Sequence, residues 1–595
     1  MNRMQRNPAG LVAQEFDVLI IGAGAFGAAA ARDAALRGLR TALIERADFG
    51  GATSAECFKM VHGGIRYLQH ADVPRLRASS YERSALLRIA PHLVQPLPIA
   101  IPTYGSGRRG RAFLAAGATV YDLLTLDRNR GIRDRHRQIR RSRFLARARL
   151  LELFPHLRAP GLTGAVVFED GQMHNPARLV LAFVSSAVDA GATACNYVEA
   201  TKFLWRDSAV CGVRARDRLT GEEFDVRARL TLNAAGPWAD YLQNDPQHFG
   251  EWQRLPFSRD AYFIVDRAPT SEYGVAVQGL SRDKDAVLGR ATRHLFAVPW
   301  RDKTLVGVWH TLFPEFPDGA HVRLDEIETW MAELNSVYPT LQLTPSEVTF
   351  ANCGLVPFGE TATATELSFG KESRLVDHRA AHGVSGLVSL VGIRFTTARA
   401  DAARALDMLL RQLPRAPRGV DTALLPLAGG EIDDFAAFEA QALRTKPDQV
   451  NDVSLRALLR NHGARYAQVL RGDADAGACI GETTTLRAEI RHAIEDEMAV
   501  KLEDVVMRRT ELAAGSHPGR RALEATATMM AQHLQWSDSR MREELSATER
   551  TLSRHLARVT SAPAPLAAQP SHPVHGSMLA NSRLSSAART EAGRM

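Results

Sequence analysis

Lysine is scarce in this chain of 595 residues: of 74 basic residues only seven are lysine. Cysteine is scarce too. Cys57, Cys195, Cys211, Cys353 and Cys479 show no CxxC or other metal-ligand spacing, so no metal site is expected. An odd, scattered set of thiols excludes a disulfide framework and points to a reducing, cytoplasmic setting. No apolar run approaches the roughly 18–20 residues that a membrane span needs. The opening MNRMQRNPAGLVAQE lacks the apolar core of a signal peptide, and cytoplasmic residence is the expectation. There are no internal repeats. What is present is 45% apolar residues in a length beyond one core, which predicts two or three ordered domains.

The richest segment is Phe16–Glu45, FDVLIIGAGAFGAAAARDAALRGLRTALIE. It reads as a buried strand, a glycine turn, a helix and a second strand ending on an acid. Gly22, Gly24 and Gly27 make GxGxxG directly after Val18–Ile21, and Glu45 closes the next apolar run, Thr41–Ile44. Gly22 permits a tight turn, Gly24 lets backbone approach a pyrophosphate, and Gly27 lets the helix lie close on the strand. Glu45 can accept hydrogen bonds from ribose hydroxyls. The pattern predicts a dinucleotide site for FAD or NAD.

A glycine-containing, charged loop, TSAECFKMVHGGIRYL (Thr53–Leu68), then interrupts the βαβ repeat that a nicotinamide domain would continue. Further on come FEDGQMHNPARLVLA (Phe168–Ala182), LNAAGPWAD (Leu232–Asp240), LVGIRFTTAR (Leu390–Arg399) and EIRHAIEDEMAVKLEDVVMRRTEL (Glu489–Leu512). Together these resemble the FAD-dependent glycerol-3-phosphate dehydrogenases, within the D-amino-acid-oxidase-like flavoproteins, over about Phe16–Leu552. The resemblance implies an α/β fold: a Rossmann-like FAD-binding domain, an inserted mixed β-sheet substrate domain and a C-terminal all-helical domain. Expected bounds are a flexible N-terminus at 1–15 and FAD-binding parts at 16–250 and 347–413. A substrate or cap domain follows at 251–346, a helical domain at 427–555 and a disordered tail at 556–595.

For FAD, the resemblance implies Gly22, Gly24, Ala25, Phe26, Gly27, Glu45 and Arg46 around the nucleotide, with Val198 as a backbone contact to adenine. It adds Thr53, Ser54, Lys59, His62, Gly63, Gly64, Ala235, Gly236, Trp238, Gly392, Arg394, Phe395 and Thr396. Lys59 has a surface reading nearly as good, and His62 an equally good structural one. Gly63 and Gly64 imply backbone close to a ligand. A flavin dehydrogenase must hold the substrate C–H near N5, remove a hydroxyl proton, and stabilise negative charge with cations or helix N-termini. Arg66 and Tyr67 are implied at the substrate, and Arg394 supplies a permanent charge that cannot act as a base. Candidate bases are His310 and Tyr262, then His378.

The chain departs from this family where a phosphate would be held. The family's GVRP becomes Gly354-Leu355-Val356-Pro357, and its ITRDY arginine falls near Val376, two positions from Arg374. GGK becomes Gly392-Ile393-Arg394; a GSH-like histidine aligns with Tyr262, and GTTD aligns with Gly307-Val308-Trp309-His310. Loss of one Arg contact removes roughly 1.5–3 kcal/mol. The resemblance still makes a glycerol-3-phosphate dehydrogenase-like enzyme, passing electrons to a quinone-type acceptor, the leading function. A flavin oxidoreductase for another small hydroxy or amine substrate, and an FAD-bearing interaction protein, are the alternatives. Ten arginines crowd Arg128–Arg149. They read as a solvated face or as peripheral contact with an anionic membrane; no aromatic stacking platform accompanies them, and no nucleic-acid partner is expected.

Overall fold

The computed structural model describes residues 3–155, 157–250, 257–282, 292–339, 341–358, 372–471, 475 and 477–556. Phe16–Ile21 is the central strand of a first sheet because both of its neighbours are parallel and both of its faces are covered. Val18 lies opposite Thr41 of strand Thr41–Ile44 on one side and Leu230 of Glu223–Asn233 on the other. Thr193–Cys195 extends one side; Leu387–Val391 and then antiparallel Arg374–Asp377 extend the other. A parallel strand buried on both faces needs the unbroken apolar run seen here. Helix Ala25–Leu36 buries Ala28 to Ala35 against helices Pro176–Asp189 and Ala398–Leu410. Its alanines let the three helices approach closely.

The second sheet runs in the order Val348–Pro357, Phe257–Val265, Lys303–Phe313, Thr292–Trp300, Gly274–Arg282, Val94–Tyr104, Leu162–Met173, Met60–Val61. It is mixed, because Gly274–Arg282 pairs parallel to Val94–Tyr104 while the other pairings are antiparallel. The sheet extends beyond 251–346. Four of its strands come from 16–250, counting Arg143–Ala146 beside Leu162–Met173, and one from 347–413. Alternation gives it two apolar faces. Ala261, Phe263, Val306 and Trp309 meet helix Leu324–Val337, where Trp309 and Trp330 stack at 5.4 Å. Tyr262, Ile264, Trp300 and Phe350 face the C-terminal helices through Val505, Leu523, Met530 and Leu552.

Within 427–555 the longer helices among the described residues are Phe435–Thr445, Asp452–His462, Arg487–Glu495, Arg520–Leu534 and Asp538–His555, with a π-helical turn at Val505–Arg509. Of the N-terminus expected to be flexible at 1–15, residues 3–15 are described. Pro8–Val12 is helical under an Asn7 cap, Leu11 is fully buried, and Arg6 pairs with Asp217 at 2.8 Å. Of the expected tail 556–595, residues 557–595 lie outside the described residues. Among the described residues no helix is long and apolar enough to cross a membrane.

Candidate functional site

Gly22 has φ +94°, and a Cβ there would meet Ala234 O at 2.7 Å and Ala235 Cα at 2.9 Å. The turn Ala234–Gly236 therefore lies directly against the glycine turn, and Gly236 is itself left-handed at φ +57°. A Cβ on Gly27 would stand 1.8 Å from Gly22 O, so only glycine lets the helix start where it does. Glu45 accepts from Ala23 N at 2.7 Å and Ala47 N at 2.9 Å, while burial raises its carboxyl pKa. Ser54 Oγ accepts from Ala25 N at 3.0 Å. A glycine cradle, N–H groups at a helix start and an acid after the second strand are what a dinucleotide requires, and these residues fit FAD. Val198, fully buried, donates its N–H to Glu45 O at 2.8 Å. Arg46 lies 4.5 Å over the Trp238 ring, and both donate to Asp318, an acid the sequence reading missed.

At the other end of the site, loop and second sheet lock together. Thr53 Oγ1 accepts from Leu355 N at 3.1 Å, and Glu56 accepts from Cys353 N at 2.9 Å. Lys59 is not on the surface: it is buried, and Nζ donates to the Tyr262 hydroxyl at 2.5 Å. Nζ also lies 5.0 and 4.8 Å from the Tyr262 and Trp300 rings, and burial brings its pKa down to about 8. Burial pushes the Tyr262 phenol well above its ordinary pKa. The Tyr262 hydroxyl is thus buried and engaged by Lys59.

The HGG turn is tied into the protein on several sides. A Cβ on Gly63 would meet Arg83 Nη1 at 2.0 Å and Tyr121 OH at 2.3 Å, so this glycine serves protein packing. Its N–H donates to Asp170 Oδ1 at 2.5 Å, and the fully buried Arg83 donates to the same oxygen at 3.1 Å. Gly64 is left-handed at φ +85°, packed on Tyr67 and Leu76. His62 N donates to the buried Thr396 Oγ1 at 3.0 Å, while its exposed ring lies 3.7 Å from Asp170. These contacts tie the loop to the turn after Leu387–Val391. There Gly392 leaves room for the Phe26 ring, which a Cβ would meet at 2.0 Å. Phe395 packs on the first core beside Thr396.

Arg394 donates to the Tyr67 hydroxyl and lies 5.2 Å over its ring; Arg75 lies 4.2 Å over the same ring. Exposed Arg66 faces His294, whose pKa is lowered to about 4 by burial and then by that guanidinium. Strand register sets Asp260 opposite both His310 and Gly354, and His310 Nδ1 meets Asp260 Oδ1 at 2.7 Å. Val356 lies opposite Ser258, on the same sheet face as Asp260. Arg374, opposite Val391, stands 3.5 Å from Asp240. His378 is fully buried, bonded to Ser389 at 2.8 Å, and its pKa is lowered to about 4, by burial first and His382 second. Asp260 could have been found two positions before Tyr262 in the alternating SRDAYFIV. Asp318 and Asp170 carry no comparable local signal.

Residues 17–400 match the family described as FAD dependent oxidoreductase, and residues 420–541 match the C-terminal domain of alpha-glycerophosphate oxidase. A glycerol-3-phosphate dehydrogenase of Synechocystis is 30% identical over 545 residues, covering 89% of this chain and 95% of that protein. The mitochondrial glycerol-3-phosphate dehydrogenase of mouse is 31% identical over 578 residues, covering 90% and 73%. The solved structure of the Bacillus halodurans glycerol-3-phosphate dehydrogenase, complexed with FAD, superposes with a TM-score of 0.72 at 24% identity. It covers 93% of this chain and 98% of that one, and so shares its fold. The chain belongs to the FAD-dependent oxidoreductase family, among the relatives named glycerol-3-phosphate dehydrogenase.

Proposed function

We propose that this protein oxidises glycerol 3-phosphate at its secondary alcohol and passes the electrons to a quinone-type acceptor. The observation that carries the reading is Arg394, fixed on Tyr67 at the turn beside Gly392. It puts a permanent cation at the opening of the helical turn Phe395–Thr397, where an anion is favoured. Arg66 is a second cation from the same loop as Tyr67, and the two arginines orient the phosphate. Bound FAD supplies the acceptor for the hydride that leaves the substrate carbon.

His310 removes the hydroxyl proton through Nε2. Asp260 holds the Nδ1 proton, fixing the tautomer that leaves Nε2 as acceptor. Gly22 to Gly27, Glu45 and Arg46 hold the nucleotide half of FAD, with Val198, Ala235, Gly236 and Trp238 beside it. Thr53, Ser54, His62, Gly64, Gly392, Phe395 and Thr396 enclose the ring. Lys59 with Tyr262 closes the site against water.

Anaerobic mixing with glycerol 3-phosphate tests this directly, and rapid bleaching of the flavin absorbance is the expected result. Protein that dithionite reduces but glycerol 3-phosphate does not would assign the site to another small hydroxy or amine substrate, as Val356 in place of an arginine suggests.

The protein further works in the cytoplasm, peripherally attached to the inner face of an anionic membrane. The Arg-rich segment supports this only in part, because Arg128 and Arg137 are buried and Arg143 pairs with Glu169. The better support is helix Arg111–Leu124, which exposes Phe113, Val120 and Leu123, with Leu126 just beyond it. Arg108 and Arg109 precede this helix, and exposed Arg130, Arg133 and Arg135 follow it. Phe113→Ser with Leu123→Ser should reduce co-sedimentation with phosphatidylglycerol vesicles severalfold; unchanged binding would refute this attachment.

A further inference from the structure

The loop from Glu45 to Ser54 wraps the glycine turn by three hydrogen bonds and is braced by a fourth within itself. Glu45 accepts from Ala23 N, Ala47 N returns to Glu45, Gly50 N donates to Ala23 O at 3.0 Å, and Ser54 accepts from Ala25 N. Asp48, in the middle of this loop, turns the other way. Its fully buried carboxylate accepts from Arg508 Nε at 2.7 Å, and from Arg509 Nη1 and Nη2 at 2.6 and 2.7 Å. Asn196 Nδ2 adds a fourth contact at 3.0 Å. Both arginines come from the C-terminal helical domain. Consecutive side chains point well apart on an α-helix. The wider π-helical turn Val505–Arg509 brings Arg508 and Arg509 round toward one carboxylate.

A second thread runs through Tyr197, a bulky residue in the left-handed region at φ +56°. Its N–H donates to Ala47 O at 2.9 Å and its hydroxyl donates to Asp504 Oδ1 at 2.5 Å, which also accepts from Arg508 at 2.9 Å. Val198 N on Glu45 O completes the tie. The loop carrying the ribose-binding acid is thus gripped on its outer side by charges from the far end of the chain.

We propose that the C-terminal domain acts on the cofactor site through Asp48. Arg508 and Arg509 are positioning residues that set the loop carrying Glu45. Docking of that domain and retention of FAD are then one coupled equilibrium, and each strengthens the other by the same factor. The two guanidiniums outweigh burial and hold the Asp48 carboxyl below its usual range, so the contact stays ionic at working pH.

The test compares two buried ion pairs that join the same domains. One set, Asp48→Asn, Arg509→Gln and Arg509→Lys, touches the loop. The control, Glu497→Gln, weakens the Arg178–Glu497 pair (2.6 Å), which reaches helix Pro176–Asp189, and keeps the Glu497 backbone carbonyl that accepts from Arg509 Nε at 3.1 Å. FAD is stripped, the melting temperature of each ligand-free protein is recorded, and FAD is titrated by the quenching of its fluorescence. At equal loss of melting temperature, Asp48→Asn and Arg509→Gln should bind FAD at least tenfold more weakly than the control. Arg509→Lys, which keeps the charge, should recover most of the loss. FAD should slow amide exchange across residues 496–512 in the parent and not in Asp48→Asn. If FAD affinity simply tracks melting temperature in both sets, or Asp48→Asn binds FAD within threefold of the parent, the proposal is overturned. Should Arg509→Gln fail to fold, the nearly isosteric Asp48→Asn still decides it.

Discussion

Replacing Gly27 by alanine makes the sharpest test of the cofactor site. The added Cβ would lie 1.8 Å from the Gly22 carbonyl oxygen, a backbone atom with no rotamer to yield. Real Cβ contacts are essentially never closer than 3.0 Å, so turn and helix must move apart. The helix cannot retreat freely, because Ala28 to Ala35 are buried behind it against two other helices. Overpacking of this kind costs about 1–3 kcal/mol of stability. The larger effect falls on FAD. Moving the helix start weakens the charge-assisted N–H contacts to a pyrophosphate, each worth about 1.5–3 kcal/mol. Losing two weakens FAD roughly 10²–10⁴-fold. Fluorescence titration of stripped protein, with a ligand-free melt to show that the variant is folded, measures both quantities. A folded Gly27→Ala protein that binds FAD within threefold of the parent would refute the geometric argument.

Tyr262→Phe should lose about 1.5–3 kcal/mol in urea unfolding, because Lys59 Nζ loses the hydroxyl it bonds. The folded pKa of Lys59, about 8, lies below its ordinary 10.5. Its burial penalty is therefore complete below pH 8 and relieved as pH rises toward 10.5, and Lys59→Met should flatten that rise in stability. Tyr67→Phe and Arg394→Lys should each lower kcat/KM for glycerol 3-phosphate, with a coupling of roughly 1 kcal/mol in the double variant; strict additivity would show that the pair does not act together. His492 is opposed by burial but raised to about 9 by Glu497 and Asp496, beside Arg178 and His462. With the folded pKa above the ordinary 6.5, its stabilisation of about 3 kcal/mol is complete below pH 6.5 and lost by pH 9. His492→Gln should abolish that part of the decline, and an unchanged pH profile would refute the assignment.

The first sheet and its glycine turn were legible because their signals are local. An unbroken apolar run, a glycine at each close approach and an acid at the next strand end all lie within Phe16–Glu45, and the structure assembles them in that order. His310 and Tyr262 were legible as residues, but their roles were not. The surroundings of Tyr262 are set by burial and by Lys59, which lies 203 positions away. His378 has the right side chain for a base and is sealed beneath Phe249.

The sequence by itself determined which segments become strand, turn and helix, and that a dinucleotide is bound, since backbone sterics and side-chain period act over a few residues. The tertiary structure alone decided that Val94–Tyr104 and Leu162–Met173 join the second sheet, and which acids meet Arg46, His310 and Arg509. Alternating strands are interchangeable until a shared face buries them, and one carboxylate is chemically like another until folding removes the water around it. Such choices are made by packing and desolvation among residues far apart in the chain, and no short window of sequence contains them.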